Sequence, residues 1–192
     1  MNSYIAFPNR GNSLKTYSGL SFHIKSPQAD EISLVDIAHA LSLICRANGH
    51  FKHFYSVAQH CINCYREAAA RRYSRNVQIA CLFHDGSEAY ISDITRPVKE
   101  YLPNYLEMES IIQNKVYEKF CLKKLSSADL EKVADVDDTV LWHEFNGLHN
   151  MPMWCAEPKI YAELDLEYRD MKKVEQEFIA IAKSIGVGIL QR

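Results

Sequence analysis

Between Ser33 and Gly186 the chain repeats one pattern: a helix-starting residue, an apolar stripe of helical period, then a stop. A stripe recurring every three to four residues fits the 3.6-residue turn of a helix and not a pleated strand, so most of the sequence is committed to helices. Ser33 followed by Asp36 resembles a capping box, apolar residues recur at Leu34, Ile37, Leu41 and Ile44, and Gly49 supplies a stop. This predicts a helix over about 33–48. Ser56 with Gln59 opens a second helix through Ala70 toward Tyr73, and a third runs from about Val77 through the Glu88 region. Pro97 and Pro103 suit first helical turns, the second of these helices running from Tyr105 to about Phe120. Asp129 to about Asn146 reads as another. After a loop punctuated by Pro152 and Pro158, a last helix is expected from about Ala162 to Ile185, ending at Gly186.

Composition points the same way. Seven glycines and six prolines in 192 residues fall well below the roughly 12% of an average chain, which favours long uninterrupted helices. Apolar residues at 47% and charged residues at 24% are values of a chain that builds its own core and is not disordered. The first 30 residues differ, because Pro8, Gly11, Gly19 and Pro27 interrupt them while Leu20, Phe22 and Ile24 alternate as in a strand. The expected fold class is therefore all-α: a compact helical bundle over 31–192, with a short N-terminal arm or hairpin over 1–30 packed on it.

With 22 basic against 24 acidic side chains, the chain offers no general positive field for a nucleic-acid polymer. Nowhere do about 18 apolar residues run together, and Met1, Asn2 and Ser3 begin no signal-like core, so no membrane association and a cytoplasmic location are expected. In that compartment the six cysteines are expected to be reduced and to pack as small hydrophobes. The pair Cys61 and Cys64 has CxxC spacing, but no second CxxC accompanies it, so these thiols are expected to pack inward. His50, His53 and His143 fit no complete zinc motif.

The informative residues are His60, the adjacent His84 and Asp85, and Asp137. A single histidine on an amphipathic helix is usually a hydrogen-bonded or surface residue, so the set carries the argument. His60 sits near the start of one predicted helix and His84 and Asp85 late in the next, and an antiparallel pairing brings them within a turn or two at about 1.5 Å per residue. Asp137, on a later helix, can complete the cluster. Imidazole nitrogens with carboxylate oxygens suit a divalent ion such as Mn, Co, Ni, Zn, Fe or Mg, and this donor set does not choose among them.

The stretches Ser56 to His60, Cys81 to Asp93 (containing His84, Asp85, Gly86, Ser87 and Glu88), Pro97-Val98-Lys99, and Asp137 with Glu144 resemble the HD-domain metal-dependent phosphohydrolases. Residues 84–99 are most similar to the small bacterial and phage branch containing 5′-deoxynucleotidases and deoxynucleoside triphosphate hydrolases. The likeness covers roughly residues 30–150. It implies that His60, His84, Asp85 and Asp137 hold one divalent metal ion per chain. Asp135 and Asp138 compete for the last place, and Asp137 is preferred because Glu144 then falls seven residues later, as in the family pattern.

The same resemblance assigns catalytic roles to Glu88 and Asp93, in handling the water proton or the leaving oxygen. Glu88 lies four residues after His84 and three after Asp85, so on a continuous helix it would share their face. Asp93 in Ser92-Asp93-Ile94-Thr95 reads equally as a turn or cap residue. Phosphate needs positive charge beside the metal. Arg46 and Lys99 are the candidates to bind it, with Arg96 a weaker one; Arg46 could instead cap a helix C-terminus, and Lys99 could be solvated. Phe51, His53 and Tyr55 precede the metal helix, where a nucleoside could stack. The implied activity is 5′-nucleotidase action on a deoxynucleoside monophosphate, the alternatives being a deoxynucleoside triphosphate triphosphohydrolase and a nucleotide-sensing module without turnover. The family also implies a homo-oligomer.

Overall fold

A computed structural model describes residues 13–151 and 154–187. Pro8 and Gly11 of the expected arm, and Pro152 of the expected loop, lie outside the described residues. The described residues begin with a two-stranded antiparallel hairpin, β1 (Leu14–Lys15) and β2 (Ser21–Phe22), in which Leu14 faces Phe22 and Lys15 faces Ser21. Eight helices follow: α1 (Leu34–Leu43), α2 (Val57–Ala70), α3 (Arg75–Leu82), α4 (Glu88–Ile91), α5 (Arg96–Lys99), α6 (Pro103–Phe120), α7 (Ser127–His149) and α8 (Met171–Ser184). The fold is all-α with a short hairpin, as the periodicity predicts. The hairpin docks through Phe22, which is fully buried and stacks on Tyr90, and through Ser18, whose backbone N–H donates to Asp36 at 2.6 Å.

Local chemistry starts the helices. The Ser33 hydroxyl accepts from the Val35 and Asp36 backbones, Ser56 accepts from Gln59, and Pro103 occupies the first position of α6. Ser126 and Asp129 form a reciprocal capping box on α7. α2 is the central element. It packs against α1, α3, α7 and α8, and every residue from Val57 to Cys64 is buried, a pattern that belongs to a helix surrounded by protein.

Three expected boundaries are corrected. α1 stops at Leu43, because Ile44 and Cys45 turn extended: the Val57 N–H donates to Ile44, and Cys45 bridges to Ser56. Arg46 therefore starts a 3-10 turn over Arg46–Gly49 and caps no helix; Ala47 and Asn48 in it take φ of 54° and 49°. The third helix breaks after Leu82, so His84 and Asp85 occupy a tight turn and Glu88 begins α4. A side chain on Gly86 would meet the Val116 Cγ1 of α6 at 2.7 Å, so this turn passes α6 at a distance only glycine permits.

The last helix begins at Met171, capped by Asp170, and residues 161–167 form a strap along α2. One polar row of α2 holds it. Gln59 donates to the Glu167 carbonyl, Asn63 exchanges hydrogen bonds with Asp165, and the Glu67 carboxylate accepts from the Tyr161 and Ala162 backbones. Among the described residues, no helix is long and apolar enough to cross a membrane.

Candidate metal centre

Three elements converge on one point. α2 supplies His60, the turn after α3 supplies His84 and Asp85, and α7 supplies Asp137. The two Nε2 atoms of His60 and His84 stand 3.1 Å apart, and Asp137 Oδ1 lies 3.0 Å from His60 Nε2 and 3.6 Å from His84 Nε2. Asp85 Oδ2 lies 3.3 Å from His84 Nε2 and 3.7 Å from His60 Nε2. The expected quartet is thus brought together, although Asp85 and Glu88 lie on either side of a helix break and do not share a continuous helix. The rivals of Asp137 point elsewhere: Asp135 pairs with Arg71 and Asp138 with Arg96.

The tautomers follow from the outward nitrogens. His84 Nδ1 lies 2.8 Å from the Cys81 carbonyl, which only accepts, so that nitrogen carries the hydrogen and Nε2 is left with its lone pair. His60 Nδ1 lies 2.8 Å from Glu144 Oε1 and donates to that carboxylate. Two lone pairs and two carboxylates facing one another at 3.0–3.7 Å need a cation among them, either protons or a metal ion. With protons alone, burial opposes charge in each group, yet Asp85 holds the His84 imidazole well above its ordinary value. Burial likewise opposes ionisation of Asp137, yet the imidazoles hold its carboxyl well below the usual range. The donor set and its outward-anchored imidazoles fit a divalent ion.

Cys64 also approaches the centre, and sequence spacing gave no reason to include it. Its Sγ is nearly equidistant from the two nitrogens of His60, at 3.9 and 3.5 Å, so it lies against the ring and off the Nε2 lone-pair direction. Burial pushes this thiol well above the usual range. Cys64 packs the imidazole in place, and Cys61 is buried beside it.

Glu144 is the residue whose role sequence reasoning missed. Fully buried, it accepts from Tyr55 at 2.8 Å, from His60 at 2.8 Å and from Arg46 Nε at 3.1 Å. Burial favours its neutral form, but His60 and Arg46 outweigh this and hold the carboxyl below its ordinary value. A lone glutamate seven residues beyond Asp137 carries no sign of this in the sequence.

The centre lies at one end of a cleft of about 410 Å³, within the size range of small-molecule sites. Arg46 enters from the strained 3-10 turn and reaches Asp85 at 3.3 Å and Asp137 at 3.7 Å. Glu88 lines the cleft with its Oε2 buried and without a partner among the described residues. Burial, reinforced by Asp85 and Asp93, pushes its carboxyl well above the usual range. Asp93 lines the same cleft and caps nothing, Thr95 being the residue that precedes α5. Ser92 before it takes φ 71° and ψ 160°, a conformation that costs a non-glycine residue free energy and sets the direction of the loop.

The three basic residues are placed differently. Lys99 sits 3.7 Å from Glu88 Oε1 and is bonded to Glu109, so it holds Glu88. Arg96 is half exposed and reaches Asp137 Oδ2 at 2.9 Å and Asp138 at 2.6 Å. Phe51 and Tyr55 are packed in a small core with Leu148 and do not line the cleft. His143 is bonded to the Pro158 carbonyl, away from the centre. A larger groove of about 590 Å³ lies between the hairpin, α1 and α4, and none of the four converging residues lines it.

Fold and site together define an all-α protein with a largely buried cluster of histidine, cysteine and aspartate that could hold a metal ion beside a cleft. No family model matches the chain. Its sequence is 36% identical over 156 residues to the uncharacterized protein YfdR of Escherichia coli (strain K12), covering 76% of this chain and 85% of that protein. It is also 30% identical over 129 residues to an uncharacterized protein of Rhodobacter capsulatus, covering 64% of this chain and 65% of the relative. The chain belongs to the family of YfdR.

Proposed function

We propose that this protein is a metal-dependent phosphohydrolase that releases inorganic phosphate from deoxynucleoside 5′-monophosphates in the cytoplasm. The convergence of His60, His84, Asp85 and Asp137 at the head of a cation-lined cleft is the observation that carries the reading. The similarity of residues 84–99 to HD-domain nucleotidases supplies the reaction class.

Arg46, Arg96 and Lys99 line the cleft beside Asp85, Glu88, Asp93 and Asp137 and offer positive charge to a phosphate group.

His60, His84, Asp85 and Asp137 would hold one divalent ion per chain, which would supply Lewis acidity that lowers the pKa of water and polarises a phosphoryl oxygen. Arg46, fixed by Glu144 and Asp85, presents a rigid guanidinium to the phosphate and stabilises the charge that builds on its oxygens. Arg96 can exchange its exposed carboxylate partners for phosphate oxygens. Glu88, held protonated, donates to the leaving 5′ oxygen; Asp93 accepts a proton from the attacking water. The P–O bond to the sugar breaks, and the products are the nucleoside and inorganic phosphate.

The test is a product assay over ribo- and deoxyribonucleoside mono- and triphosphates with Mn, Co, Ni, Zn, Fe or Mg. Inorganic phosphate from a deoxynucleoside monophosphate is the expected result. Tripolyphosphate would instead identify a triphosphohydrolase, and binding without any product a sensing module.

A further inference from the structure

The wall of the cleft beyond the metal centre is a single face of α7. Asp137, Leu141, Phe145 and His149 recur at four-residue intervals and all line the cleft. At about 1.5 Å per residue, each step carries the wall about 6 Å farther from the centre. Side chains on a helix lean toward its N-terminus, so the rings of Phe145 and His149 lean back over the space between them and Asp137. His50, Ile94 and Pro97 also line the cleft. One end of the cleft is thus charged, and the other is flat, apolar and aromatic.

Two details mark the aromatic end as a seat for a ring. The rings of Phe145 and His149 lie 6.0 Å apart with their planes inclined by 33°, so they present a shallow, nearly continuous surface. His149 Nδ1 is buried and has no hydrogen-bond partner among the described residues. A buried polar atom without a partner costs free energy unless something else satisfies it. A hydrocarbon ring would leave Nδ1 unpaired, whereas a nitrogen heterocycle can pair with it at its edge.

We propose that Phe145 and His149 form the subsite for the nucleobase, Phe145 by stacking on its face and His149 by a hydrogen bond to its edge, with Leu141 beneath the sugar. The proposal rests on reading the metal centre as the phosphate end, since that fixes the direction in which the substrate lies. It makes α7 the element that measures a nucleotide from end to end. Asp137 holds the ion at one end, and Phe145 and His149 take the base two to three turns farther along.

The test compares deoxyadenosine 5′-monophosphate with 2-deoxyribose 5-phosphate, which lacks the base. Phe145 also packs edge-on against Phe51 at 5.0 Å, so Phe145→Leu, which keeps apolar volume and removes the π-face, is used together with His149→Ala. Base stacking on an aromatic side chain contributes about 1–3 kcal/mol, so Phe145→Leu should raise KM for the nucleotide about 10-fold. The kcat for the nucleotide and the kcat/KM for the sugar phosphate should stay unchanged. His149→Ala should act in the same direction. Equal loss on both compounds, or no loss on either, overturns the subsite. If the wild-type protein releases phosphate from nothing, the phosphohydrolase reading fails separately. Calorimetric titration of metal-stripped protein with the same two compounds then decides: tighter binding of the nucleotide that disappears in Phe145→Leu supports the base seat, and equal affinities overturn it.

Discussion

His60 Nδ1 stands 2.8 Å from Glu144 Oε1, and neither side chain has any solvent exposure. These residues lie 84 positions apart and share no local motif, yet the contact fixes which nitrogen of His60 faces the centre. The same carboxylate holds Tyr55 and Arg46, so one buried residue of α7 orients both an imidazole of the centre and a guanidinium that lines the cleft. Replacing a carboxylate that anchors a ligating histidine commonly costs 10–100-fold in metal affinity. Glu144→Gln should therefore weaken divalent ion binding by about that factor while the helical content remains. Titration with a competing chelator measures the first, and far-ultraviolet circular dichroism the second.

Glu88 separates chemistry from binding. It is outside the four converging donors, and its Oε2 is buried on the cleft wall without a partner among the described residues. Glu88→Gln should keep the metal content of the wild-type protein and lower single-turnover phosphate release about 10²–10⁴-fold, the usual contribution of a positioned acid or base. Loss of the ion in this variant would place Glu88 among the groups that support the centre.

The cleft is flanked by strained backbone on both sides. Ala47 at φ 54° follows Arg46, and Ser92 at φ 71° precedes Asp93. Conformations of this kind cost L residues about 1–3 kcal/mol each, a cost glycine avoids. Ala47→Gly and Ser92→Gly should each raise the urea midpoint, by an amount equivalent to about 0.5–1 kcal/mol after the added chain entropy of glycine is subtracted. Phosphate release should fall in the same variants, because Arg46 and Asp93 lose rigid direction.

Much of the fold was legible because its signals are local. Ser33, Ser56 and Pro103 start helices through groups within three residues of themselves, and these start signals placed α2 and α6, while α7 was placed to within about three residues of its ends. The misplaced boundaries all depend on distant partners. The end of α1 answers to the pairing of Ile44 and Cys45 with Ser56 and Val57. The late start of α8 answers to Gln59, Asn63 and Glu67, which hold residues 161–167 as a strap before any helix can begin. The quartet was legible from motif and order, His60, His84, Asp85 and Asp137. Glu144 was visible only as a spacing, since its work lies in contacts to Tyr55, His60 and Arg46 that no spacing encodes. Arg46 was expected beside phosphate, but the left-handed turn that aims it was not.

The proposed hydrolysis depends on one divalent ion held by these four residues. Metal analysis and single-turnover phosphate release, measured on the same preparations of wild type and Asp85→Ala, test it most directly. About one ion per chain and phosphate release from a deoxynucleoside monophosphate are expected in the wild type, with both lost together in Asp85→Ala. Full metal stoichiometry in Asp85→Ala, or phosphate release that persists after the ion is gone, would contradict it.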